Sequence, residues 1–128
     1  MCSLGWDWLI LDLKKAFTIY QYCERIKSEL LILSGLVDEA FKVKTEEASG
    51  AEKVIVSFFE ALIGEIRIAQ HSTKMNEFFD AELRLKEALG NFRLKSSKET
   101  QKSLSETISK ITTACSKAVE VLAKNNLI

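Results

Sequence analysis

Ala16 to Ala40 reads "AFTIYQYCERIKSELLILSGLVDEA", and the spacing of its apolar residues decides the fold. Ala16, Tyr20, Cys23, Ile26, Leu30, Leu33, Val37 and Ala40 advance by fours and threes with one slip. Residues so spaced share one side of an α-helix and form a coiled-coil-like seam. Leu9 and Leu13 extend the row backwards. The phase survives Ser34-Gly35, which gives one helix from about residue 5 to about 44. That pair is a place for a bend or, in the alternative, a break.

Three further helices follow. "TEEASGAE", from Thr45 to Glu52, makes the first turn, and Ser49 with Glu52 forms a capping box that starts helix two near residue 50. This helix runs to about residue 71 and is apolar around most of its circumference. Its polar stripe is Lys53, Ser57, Glu60, Gly64, Arg67 and His71. Helix three spans about 73 to 92 with Ser72 or Thr73 as its cap. Its expected buried face is Met75, Phe78, Phe79, Leu83, Leu85, Leu89 and Phe92, and Gly90-Asn91 weakens its end. The acid-first pairs Asp80/Arg84 and Glu82/Lys86 stand four apart along it, a spacing that stabilises a helix slightly where the pair is exposed.

Helix four begins at the box Ser96 to Glu99 or at Ser103 to Glu106 and carries the seam Leu104, Ile108, Ile111, Cys115, Ala118 and Leu122. Ser96 to Ser103 holds no large apolar residue, so it is expected to project or fray. The fold class is therefore all-α: an antiparallel up-down-up-down four-helix bundle, one domain over residues 1–128, with a long first helix. The absence of proline and a total of five glycines favour such long elements.

The helices differ in length. At ~1.5 Å per residue, helix one spans roughly 57 Å and helices two and three roughly 30 Å each. The start of helix one therefore overhangs its neighbours. Trp6, Trp8, Leu9, Ile10 and Leu13 there, with Leu122 and Leu127 from the end of helix four, present apolar surface that a second copy would cover. A homodimer, or an association with another protein, is the expectation.

Composition bounds the function. The chain has 128 residues, 47% of them apolar and 28% charged, as a globular domain requires. Eighteen basic and eighteen acidic residues cancel, which argues against a broad nucleic-acid or anionic-membrane surface. Cys2, Cys23 and Cys115 have no paired spacing and read as reduced thiols of a cytoplasmic protein. "MCSLGWDWLILDLKK" lacks the basic lead of a secretory signal, and no uncharged run approaches a membrane span.

Specific chemistry is sparse. Arg67 and His71 lie four apart on the polar stripe of helix two, where an arginine and a C-terminal histidine are ordinary surface residues. A paired-metal bundle site needs two Glu-x-x-His motifs, and here the one histidine follows Ile68 by three, so no metal or other cofactor is expected. No phosphate loop or nucleophile-base pair is legible, and the expectation is a non-catalytic protein.

Two weaker constellations remain. Arg93, Lys95 and Lys98 gather at the start of helix four as a candidate site for an anion or RNA phosphate. Glu65, Glu82 and Lys27 fall on or beside apolar faces at similar heights, with Thr107 and Thr112 level with them. They form a candidate buried polar layer: either a binding or catalytic pocket for a small ligand or cation, or a structural feature, whether a charge cluster fixing helix register or side chains that snorkel outwards.

Overall fold

The computed structural model describes residues 2–43 and 48–127, and side chains at 12–43 and 49–127. Four helices account for nearly all of it: α1 (Cys2–Lys42), α2 (Ala48–Thr73), α3 (Asn76–Arg93) and α4 (Ser97–Lys124). Helix α1 is continuous through Ser34-Gly35. The first connection lies outside the described residues.

Pairs bridging the helices fix their directions. Tyr22 Oη and Ser72 Oγ lie 3.3 Å apart, and Arg25 meets Glu65, so α1 and α2 run in opposite senses. Arg67 with Glu82 and Arg93 with Glu60 do the same for α2 and α3. Lys117 with Glu77 and Arg84 with Glu106 reverse α3 and α4, while Cys115 with Glu24 and Gln101 with Ser34 close the ring.

The seam of α1 is the spine of the core. Ala16, Ile19, Cys23, Ile26, Leu30, Leu33 and Val37 are all buried, and Leu13, Tyr20 and Ala40 pack half-buried against them. Phe59, Leu62 and Ile66 of α2, Phe78 and Leu85 of α3, and Leu104, Ile111 and Leu122 of α4 complete it. At the loop end, Phe92 is wedged between Phe41, edge-on at 5.6 Å between ring centres, and Phe59 at 5.7 Å.

Several expected details are corrected. Helix α2 already includes Ala48–Gly50, so Ser49 is inside the helix and not its cap. Ser72 and Thr73 also remain in α2. Thr73 Oγ1 donates to the Ala69 carbonyl at 2.7 Å and accepts from the Met75 amide, while Lys74 takes a left-handed φ of 58° and Met75 caps α3. Phe79 (51% exposed) and Leu83 (50%) point outwards, and Ala81 and Ala88 take the inner positions. Small residues there let α3 approach α4 closely.

The segment Ser97 to Ser103 does not fray. It is the first two turns of α4, with Thr100 and Ser103 buried. Thr100 Oγ1 donates to the Ser96 carbonyl at 2.6 Å, Asn91 donates to Ser103 Oγ, and Gln101 exchanges hydrogen bonds with Ser34 of α1. Short hydroxyl side chains that satisfy themselves locally cost little to bury.

Candidate functional site

The long α1 sets the geometry of the end opposite the first connection. Ser72, near the end of α2, is level with Tyr22, so the twenty residues Cys2–Gln21 continue about 30 Å beyond that point at ~1.5 Å each. Helix α4 accompanies α1 part of the way. Asp12, Lys15, Ala16 and Ile19 share a shallow groove with Lys117, Ala118 and Val121, and α4 ends at Lys124. The first turns of α1 therefore reach past every other helix among the described residues.

Of the residues expected at an interface there, the side chains of Trp6, Trp8, Leu9 and Ile10 lie outside the described residues. Leu13 packs half-buried on the core, and Leu127 is 43% exposed. Leu122 is corrected: it is fully buried inside the bundle and has no free face. Its position on the α4 seam, three turns of which are also buried, explains this.

A second apolar row was only half legible. Val54, Phe58, Ala61, Glu65 and Ile68 advance by four, three, four and three along α2, on the side that flanks α1. Val54 is 65% exposed and Ile68 57%, and Ile32 and Leu36 of α1 are exposed as well. The excess of apolar residues on α2 foretold this. One α1 neighbour and one α3 neighbour cannot cover a helix that is apolar on three sides.

The expected polar layer is dispersed, because each long side chain finds a partner at the edge of the bundle. Lys27 pairs with Glu24 of its own helix at 3.3 Å. Glu65 meets Arg25 Nε at 3.0 Å. Glu82 accepts from Arg67 Nη2 at 3.2 Å and Lys86 Nζ at 2.9 Å. Thr107 is buried and donates to the Ser103 carbonyl at 2.8 Å, whereas Thr112 is exposed. Arg25, the partner of Glu65, is two residues from Lys27, and Arg67, the partner of Glu82, is two from Glu65.

Each ion-pair group has its own electrostatics. Burial and a hydrogen bond shared with Glu65 push the Glu29 carboxyl up to about 7, with Arg25 opposing. For Glu82, burial acts upwards, but hydrogen bonds from Lys86 and Arg67 prevail and hold the carboxylate below its ordinary range. Sequence reasoning missed Arg25 and Glu29, although their i,i+4 spacing on the α2 side of α1 was available as a signal. It also missed Glu24, whose Oε1 accepts both Lys27 Nζ and Cys115 Sγ at 3.3 Å.

The basic cluster is not gathered either. Arg93 turns to Glu60 of α2 at 3.3 Å. Lys95 occupies a left-handed turn position at φ 60° and lines a cleft of about 210 Å³ with Phe41, Glu52 and Phe92, while Lys98 is exposed in the first turn of α4. His71 is exposed, as its stripe required.

Among the described residues, no buried side-chain nitrogen or oxygen lacks a partner and no cluster of three acidic, cysteine or histidine side chains could hold a metal. No helix there is long and apolar enough to cross a membrane. The chain matches no known protein-family profile, no curated protein sequence and no solved structure.

Proposed function

We propose that this protein works by association, as a homodimer whose joined helices offer a surface to other proteins, and not by catalysis. The observation that carries this reading is the reach of α1 beyond α2, α3 and α4. A helix turn that leaves its bundle loses tertiary packing, which supplies most of the stability of a helix in water. The sequence of that turn, with Trp6, Trp8, Leu9 and Ile10, is apolar enough to need cover.

The uncovered row of Val54, Ala61 and Ile68 beside Ile32 and Leu36 supports the same reading on the flank of the bundle. The test is size-exclusion chromatography with light scattering at micromolar concentration. Twice the mass of one chain supports the homodimer, and the mass of one chain removes it.

A further inference from the structure

We propose that in the homodimer the overhanging start of α1 of each copy packs along the outer face of the other copy's α2. This inference rests on the association reading and names the surface that receives the overhang. Val54, Ser57, Ala61, Gly64 and Ile68 advance by threes and fours along α2, the spacing of a helix-pairing seam. The core seam of the same helix, Ile55, Phe59, Leu62, Ile66 and Ala69, is a separate row on its other side. Val54, Ser57, Ala61 and Ile68 are all exposed, and α2 packs against α1 and α3.

The lengths select the occupant. Ser72 of α2 is level with Tyr22 of α1. At ~1.5 Å per residue, Ile68 lies about 6 Å and Val54 about 27 Å along α2 from that level. The overhang Cys2–Gln21 reaches about 30 Å past it in the other direction. A twofold axis perpendicular to the helices turns each overhang back along the other copy's bundle, parallel to its α2. When the two Tyr22–Ser72 levels meet, each overhang spans the whole row. Trp6 and Trp8 of one copy then come within a turn of Ser57 of the other, and Leu13 comes within one residue of the Gly64 level.

Size and area agree with this occupant. Large side chains need holes, and Ser57, Ala61 and Gly64 leave them between Val54 and Ile68. Glycine weakens a helix interior, and a Cβ on Gly64 would meet nothing within 4 Å in its own bundle, so packing inside one chain gives no reason for it. The four tryptophans of two overhangs bury roughly 600–1,000 Å². The faces that receive them bury about as much again, which reaches the roughly 1,200–2,000 Å² of a stable interface. Each copy gives one overhang and takes one, so the exchange closes at two chains.

Tryptophan emission reports on the overhang alone, because Trp6 and Trp8 are the only tryptophans in the chain. The full chain is compared at micromolar concentration with Ala61→Glu and Gly64→Gln by light scattering, tryptophan emission and circular dichroism. The wild type should have twice the mass of one chain and emit at shorter wavelength than in urea. Both variants should keep the helical signal, weaken the dimer at least about tenfold and emit at longer wavelength. Leu83→Glu, on the exposed side of α3, should change neither mass nor emission. A dimeric wild type whose Ala61→Glu and Gly64→Gln variants keep its mass and emission would overturn this inference and leave the association reading standing. A monomeric wild type would overturn both.

Discussion

Replacing Glu29 with glutamine isolates the most strongly perturbed carboxyl among the described residues. Glu29 of α1 lies beside Glu65 of α2, with Arg25 on the other side of the pair. An ordinary carboxyl titrates at 4.5 and this one at about 7. At ~1.36 kcal/mol per tenfold change in proton affinity, the difference is at most ~3 kcal/mol. Glu29 is only partly buried, and solvent screening reduces this to about 1–2 kcal/mol. Because the folded value lies above the unfolded one, the contribution is fully present below pH 4.5 and is lost as pH rises through about 7. Glu29→Gln supplies a neutral donor to Glu65 at every pH. Urea unfolding followed by circular dichroism at pH 5 and pH 8 is the assay. The wild type should lose about 1–2 kcal/mol between them beyond the slope of the variant, and the variant should be the more stable at pH 8. Parallel pH profiles, or a variant weaker than wild type at pH 8, would refute the reasoning.

Three other substitutions probe the bundle. Glu82→Gln removes the acceptor of Arg67 and Lys86 and should cost about 1 kcal/mol at pH 7 in the same denaturant assay. The folded pKa of Glu82 is depressed, so the wild-type advantage should hold above the ordinary carboxyl range and vanish as pH falls below it. Phe59→Ala empties a fully buried ring site against Phe92 and should cost about 3–5 kcal/mol by chemical denaturation. Lys95→Gly relieves a left-handed φ of 60° and should raise the melting temperature by a few degrees, worth about 1 kcal/mol.

The α1 seam was legible because a run of branched and aromatic residues at threes and fours has one helical solution. Every position from Cys23 to Val37 on that seam is buried. The α4 seam was read as well, but not its start. Thr100 and Ser103 look like surface residues in sequence, and only a close α3 neighbour and local hydroxyl bonds make them core. Phe79 and Leu83 were misread because α3 has apolar residues on two sides, and periodicity cannot say which side its neighbours will cover. At the candidate polar layer, counting from the turns placed Lys27, Glu65 and Glu82 at similar heights. Their directions depend on which cross-helix partner lies within reach, and Arg25 and Arg67 drew the two glutamates outwards.

The association of α1 is the central claim, and sedimentation equilibrium of the full chain beside its Leu9→Glu variant tests it most directly. A charge at that position disfavours an apolar interface and leaves the described core untouched. The wild type should sediment at twice the mass of one chain. The variant should sediment at the mass of one chain with unchanged helical circular dichroism. A monomeric wild type, or a variant that stays dimeric, would contradict the account.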